Sequence, residues 1–479
     1  MGKKNISSSK LTELIAQYEA AKAEEKQIYL DADQLAEIAD QYSFERRFDE
    51  AQEVIIYGLK LHPGNTELLM EQAYLYLDLQ QVQLAKLTAE TITESYDTDV
   101  KLLKAEILLH EGQLEATKSI LATIDEQDEM DTIISIAYLY IDMGYPKEAS
   151  PWLQEGLKKY SDEEEFLGVM AEYYYAIERF EEAAEYYNAL IDMDAYNPLY
   201  WTILAKCRFA MEEYEKAIEA CDFALAANPK FGEAYVFRAH SYFHLDNPDP
   251  AIADYKVAME YKMMAPEFGY MFIGLAYYNK EDWKSAHEYY HRVIDIYQEK
   301  GEENSPLLVD TYTNDALCLA NMDMFEEAYQ LCDKAKKINP KDTNIYLIEG
   351  KLYMTEGKTD EGNQAWANAV HYSPEAETWF QIGSYSMDLT MIKNAKFCFE
   401  QAYDLNPGMN ELAENLAIIS LMLEDMDSFH KYNNEAKRPI TVDTIKEMQS
   451  YIDNPEAIKA LRNVVRELTD RQKDQSSEE

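Results

Sequence analysis

A small residue recurs along this chain at a nearly constant interval, and a second small residue precedes it at a fixed distance. The first series is Ala51, Ala85, Ala116, Ala149, Ala183, Ala217, Ala251, Ala286, Ala328, Gly362 and Ala395, with Phe429 in the last place. Successive members are separated by 34, 31, 33, 34, 34, 34, 35, 42, 34, 33 and 34. The second series, twelve positions upstream, is Ala39, Ala73, Ala137, Ala171, Ala205, Ala239, Gly274, Ala316, Gly350, Gly383 and Ala417, while Ala105 precedes Ala116 by eleven. A proline stands twelve positions after five of the anchors, at Pro63, Pro229, Pro340, Pro374 and Pro407. Self-similarity at a period of this size is the mark of a repeat architecture.

Residues 198–229 show what the unit is. Trp201, Leu204, Ala205 and Phe209 lie at helical spacing, and so do Tyr214, Ala217, Cys221 and Ala224. Asn228-Pro229 closes the second helix, because the residue before proline is pushed away from the α region. Two helices this short cannot bury their apolar faces on each other alone, so each pair needs neighbours. The small residues mark where backbones approach closely. The expectation is an all-α solenoid of stacked antiparallel helix pairs.

Those slots, with Tyr235, Ala239, Tyr242, Ala251, Tyr255 and Ala258 in the next unit, resemble the tetratricopeptide repeat family over roughly residues 32–437. Departures are Arg208 in the usual Tyr slot, units without a closing proline, and Phe429 for Ala. The resemblance implies a right-handed superhelix of about twelve tandem repeats. It also implies an organisation by region. Residues 1–31 carry an N-terminal capping helix over 8–29, with Leu11, Leu14, Ile15, Tyr18 and Ala21 as its apolar stripe. Repeats 1–8 span 32–300 and repeats 9–12 span 309–437. The polar insertion at 301–308, opening with GEENSP at 301–306, is a candidate hinge, and it lengthens helix B of repeat 8 or loops outward. Residues 438–469 read as C-terminal capping helices and 470–479 as a polar tail.

Charge limits the partners. The chain has 90 Asp and Glu against 44 Lys and Arg, a net charge of −46. Phosphate binding needs clustered Lys and Arg, so nucleic acid and anionic membrane surfaces are disfavoured. Basic or neutral protein partners fit better. No run reaches the roughly 18 apolar residues of a membrane span, and MGKKNISSSK has no apolar signal region. A cytoplasmic location is the expectation. The cysteine pairs Cys207/Cys221 and Cys318/Cys332 share one spacing in equivalent slots, which reads as small core residues in a reducing compartment rather than disulfides.

Binding in such arrays is implied on the concave surface. Helix-A residues two, five, six, nine, twelve and thirteen positions into each unit line that surface in the family. Carried over, they give Glu172 and Tyr175, then Thr202, Lys206 and Phe209, then Phe237, His240, Phe243 and His244, then Met271, Phe272 and Tyr278, with Asn314, Asn321 and Lys351 beyond. The groove of repeats 5–8 is thus expected to be aromatic and to hold a protein or peptide segment through buried ring anchors. The clamp by which some family members hold a C-terminal carboxylate is missing, because Lys206 is followed at matching positions by His240 and Leu275.

One catalytic pattern stands out. His287-Glu288-Tyr289-Tyr290-His291 matches HExxH, in which two histidines one turn apart bind zinc and the glutamate acts as base. A third ligand must come from downstream, with Glu302 and Glu303 as candidates. Ala286 and Tyr290 are repeat core slots that already explain this helix, and His240/His244 form a similar i, i+4 pair. The reading is therefore a protein-binding scaffold with no catalysis, no metal and no cofactor. A zinc peptidase and a self-assembling homo-oligomer are the alternatives.

Overall fold

The structure is a computed structural model that describes residues 8–24 and 26–441. Among these residues all regular structure is α-helical, in twenty-five helices. The helix Ser8–Ala23 comes first, and the other twenty-four follow as twelve A/B pairs in sequence order. Repeat 6 shows how a pair is built. Its helix A, Pro198–Ala210, starts with proline at a position whose N–H has no helical partner, and the Asn197 side chain accepts from the Leu199 N–H at 3.0 Å. Its helix B, Tyr214–Ala227, stops at Asn228, before Pro229.

Every pair turns through one left-handed residue five positions before the helix-B anchor. These residues are Arg46, Gln80, Gly112, Gly144, Glu178, Glu212, Asp246, Glu281, Asp323, Gly357, Thr390 and Glu424, with φ from 54° to 79°. Only three are glycine, the residue for which this conformation carries no Cβ penalty. The regularity corrects the register of repeat 3. Gly112 lies five positions before Thr117, not Ala116. Thr117 is fully buried, and its hydroxyl donates to the carbonyls of Gln113 at 3.2 Å and Ala105 at 3.4 Å. Ala105 and Thr117 are then twelve apart like every other pair, and the irregular spacing disappears. Helix B of that repeat, Leu114–Leu121, is simply short.

The small series is buried throughout, and its glycines answer to large partners. A Cβ at Gly274 would lie 2.6 Å from Tyr290, one at Gly383 would lie 2.7 Å from Phe399, and one at Gly350 would overlap the Trp366 ring. Each ring stands four positions after its helix-B anchor. Where that slot holds Cys221 or Cys332, helix A carries Ala205 or Ala316 instead. All five cysteines are buried, as core residues should be. Burial pushes the Cys207 and Cys398 thiols up to about 12.

The chain divides into two compact units, the first ending at Ser241 and the second beginning at Tyr242. The division falls inside helix A of repeat 7, Gly232–His244, rather than at the 301–308 insertion. The insertion lengthens its flanking helices. Helix B of repeat 8, Trp283–Lys300, has 18 residues and ends at Gly301 with φ 70°, and helix A of repeat 9, Pro306–Asn321, has 16.

In the first unit the N-terminal helix ends at Ala23 instead of continuing to residue 29. Leu14 and Tyr18 join the core of repeat 1 beside Leu35, Ala39 and Val54. Residues 26–30 are in neither helix nor strand. The Ile28 N–H donates to the Tyr57 hydroxyl at 3.1 Å, that hydroxyl donates to the Ile28 carbonyl, and His62 Nε2 meets the Leu30 carbonyl at 2.8 Å. In the second unit the last described residues are held by Asn433, which accepts from the Ile440 N–H at 2.7 Å and donates to its carbonyl at 3.1 Å. The expected helices and tail beyond residue 441 lie outside the described residues. Among the described residues no helix is long and apolar enough to cross a membrane.

Candidate functional site

In the first unit, helix-A positions of repeats 4 to 6 converge on a cleft of about 490 Å³. Ile134 and Tyr138 come from repeat 4, Glu164, Glu165, Gly168 and Glu172 from repeat 5, and Leu199, Tyr200 and Ile203 from repeat 6. Tyr187 and Leu190 of helix B in repeat 5 complete the lining. Gly168 leaves the wall open, since a Cβ there meets nothing within 4 Å. Hydroxyl groups orient two of the carboxylates: Tyr187 donates to Glu172 at 2.7 Å and Tyr200 to Glu164 at 2.6 Å. Burial and then Glu164 push the Tyr200 phenol up to about 12.

Acidic residues continue along the same helix-A face of this unit. Burial raises the Glu106 carboxyl to about 7, and the charges of Asp78 and Asp142 in the adjacent repeats add to the effect. Asp78 is itself raised by burial and then by Asp40, and Asp142 by burial. Tyr138, next in line, is raised by burial and then by Glu172 and Asp142. Asp40, Asp78, Glu106 and Asp142 thus run through repeats 1 to 4 as an acidic row in which like charges face one another, and Glu172 of repeat 5 meets its end through Tyr138.

Of the residues expected to line the groove, Lys206, Phe209, Phe237 and His240 are brought together in the first unit. Phe209 lies 6.3 Å from Phe237 and 6.2 Å from His240, ring centre to ring centre, and Lys206 Nζ stands 5.2 Å over Phe237. Lys206 also pairs with Glu233 at 2.6 Å. Tyr175 packs edge-on against Phe180 at 5.4 Å. Thr202 is fully buried and donates to the Pro198 carbonyl, so it lines no groove.

In the second unit Phe243 and His244 meet edge to face at 6.0 Å. Tyr278 packs on Trp283 at 4.8 Å, and Phe272 stacks on Tyr255 at 5.4 Å. Met271 is a correction, because it is buried in the core of repeats 8 and 9 with the Thr311 hydroxyl 3.7 Å from its sulfur. Helix A of repeat 9 starts at Pro306, ten positions before Ala316, whereas helix A of repeat 6 starts seven before Ala205.

The HEYYH segment lies on helix B of repeat 8, with the rings of His287 and His291 4.5 Å apart. Glu302 and Glu303 are exposed in the insertion and do not join them. Asp315 of repeat 9 does: its Oδ1 is 2.6 Å from His287 Nδ1, and its Oδ2 is 3.8 Å from His291 Nε2. The Asp315 contact raises the His287 pKa against the opposing effect of burial. Asp315 escaped the sequence reading because it stands beside the core residue Ala316. An acidic residue in that inward-facing slot was the signal available.

Tetratricopeptide repeat profiles match residues 135–198 and 204–260, 270–306, and 376–409. The DnaJ homolog subfamily C member 7 homolog of Dictyostelium discoideum is 23% identical over 291 residues, covering 53% of this chain and 53% of that protein. The protein CTR9 homolog of Arabidopsis thaliana is 21% identical over 376 residues, covering 73% of this chain and 33% of that protein. The chain therefore spans about half or less of the length of these relatives. A tetratricopeptide repeat protein from Parabacteroides merdae ATCC 43184 has a solved structure that is 17% identical, with a TM-score of 0.45, covering 53% of this chain and 98% of that one. The recurrent small residues, the twelve helix pairs closed by one kind of turn, and the matching profiles lead to one conclusion: the chain belongs to the tetratricopeptide repeat family.

Proposed function

We propose that this chain is a non-catalytic scaffold that holds a cationic segment of a partner protein along the helix-A face of repeats 1 to 6. The observation that carries the reading is the acidic cleft between repeats 4 and 6 and the row of carboxylates leading to it. A lysine or arginine laid there relieves like-charge repulsion, while Tyr138, Leu199 and Ile203 accept its aliphatic stem and apolar neighbours. The net charge of −46 adds long-range attraction for the same kind of partner. Family membership supports protein interaction as the activity. The Phe209–Phe237 cluster, with Lys206 and His240, extends the proposed surface into repeat 7 with apolar anchors.

The test is fluorescence anisotropy with two labelled peptides of equal length, one alternating Lys and Leu, the other Glu and Leu. The lysine peptide binds, the glutamate peptide does not, and affinity falls steeply with salt. Glu164→Gln with Glu165→Gln weakens binding without changing the melting curve, because both side chains are exposed. Equal affinity for both peptides, or binding indifferent to those substitutions, removes the reading.

A further inference from the structure

We propose that His287, His291 and Asp315 form a binding site for a divalent transition-metal ion, with Zn²⁺ the first candidate. The group lies entirely within the second unit, and the proposal is independent of the peptide-binding surface. The three side chains bring their ligand atoms within 4.8 Å of one another, and among the described residues theirs is the grouping of His, Cys, Asp and Glu close enough to hold a metal.

The argument starts from Asp315. It is fully buried on helix A of repeat 9, and its Oδ2 has no hydrogen-bond partner. A buried carboxylate needs a counter-charge. The same slot one repeat later shows the usual solution, for Glu349 is also buried and pairs with Lys336 from helix B of the preceding repeat. No lysine or arginine pairs with Asp315 among the described residues. Helix B of the preceding repeat offers His287 and His291 instead, one turn apart.

A protonated His287 satisfies Oδ1, but it leaves Oδ2 unanswered and gives His291 no role. A cation answers both oxygens and both rings. Two imidazole nitrogens and one carboxylate oxygen favour zinc and its first-row neighbours over magnesium or calcium. Two ligands about 2.1 Å from a tetrahedral ion stand about 3.4 Å apart. The observed separations of 2.6 and 3.8 Å bracket that value, so small rotations of the side chains suffice.

The protein supplies three ligands, and the solvent side, where His291 is half exposed, leaves room for water. Such an ion bridges helix B of repeat 8 and helix A of repeat 9 across the 301–308 insertion. It acts as a clasp at the point where the repeat period is broken, and it replaces the downstream glutamates of the HExxH pattern with an aspartate from the next repeat.

The experiment uses the full chain, stripped with chelator, dialysed against micromolar Zn²⁺ and measured for metal content. About one equivalent is expected to remain, falling to about a tenth in His291→Gln and in Asp315→Asn. His240→Gln with His244→Gln retains the wild-type content. Cobalt gives a visible absorption band that is lost in the same two variants, and Zn²⁺ raises the melting midpoint of the wild type but not of those variants. Both substitutions preserve side-chain size, and circular dichroism checks that the helices persist. A wild-type chain that retains no zinc overturns the site, as do folded variants that bind as much metal as the wild type.

Discussion

Gly350 and Trp366 occupy one another's space: a Cβ on Gly350 would overlap Cδ1 of the Trp366 ring and lie 2.8 Å from its Cγ. The ring is held in place, since its Nε1 donates to the Leu347 carbonyl at 3.1 Å and the side chain is almost fully buried. Gly350→Ala improves helix propensity by up to about 1 kcal/mol in a free helix. Here overpacking of roughly 1–3 kcal/mol outweighs it. Urea unfolding should show a lower midpoint for Gly350→Ala. In a Trp366→Leu background the same change should cost little, giving a coupling of at least about 1 kcal/mol. An additive pair would mean that the ring does not constrain the glycine.

Gly168 gives the opposite result. It lies inside helix A of repeat 5, Glu164–Ala176, and a Cβ there meets nothing within 4 Å. Gly168→Leu therefore gains about 1 kcal/mol of helix propensity and fills the cleft. Thermal unfolding should shift upward while the lysine peptide loses affinity. A variant that is more stable and still binds would place the peptide elsewhere.

Glu106 predicts a pH dependence. Its carboxyl titrates at about 7 in the folded chain, above its ordinary value, through burial and then Asp78 and Asp142. The folded state therefore holds the proton more tightly than the unfolded state. This contribution is fully present below the unfolded value of about 4.3 and is lost as pH rises through about 7. Glu106→Gln removes the ionisation, so it should stabilise the chain at pH 8 by roughly 1–3 kcal/mol. The advantage should vanish near pH 4. Denaturant midpoints of both proteins across that range provide the check, and a constant difference would contradict the assignment.

Thr390 is a β-branched residue in a left-handed turn, with φ 57°. Its counterparts Gly112, Gly144 and Gly357 adopt the same conformation without a Cβ penalty. Thr390→Gly should raise stability by about 1 kcal/mol, although glycine adds unfolded-state entropy that offsets part of the gain. A calorimetric scan measures the net effect, and a lower midpoint would show that the threonine side chain compensates for the strain.

The helix pairs were legible because close packing is repeated. A position that admits only a methyl or a hydrogen leaves the same mark each time, and Ala39, Ala73 and Ala205 needed no structure to be found. Repeat 3 was misread by one position because Ala116 and Thr117 are both small, and composition could not say which faces inward. The turn at Gly112 decides it. The groove assignment failed at Met271 for a different reason. Met271 holds the same slot as Thr202, three positions before the small residue of helix A, and in both repeats that side chain is buried in the core.

The sequence by itself determined the helix pairs, their order and the family, since these follow from local periodicity repeated many times. Tertiary structure decided which side chains meet. It set Asp315 of repeat 9 against His287 and His291 of repeat 8, and it set the carboxylates of repeats 1 to 4 in a row. Both depend on how one helix pair is rotated against the next. That rotation arises from packing between residues of neighbouring repeats, and no single repeat encodes it.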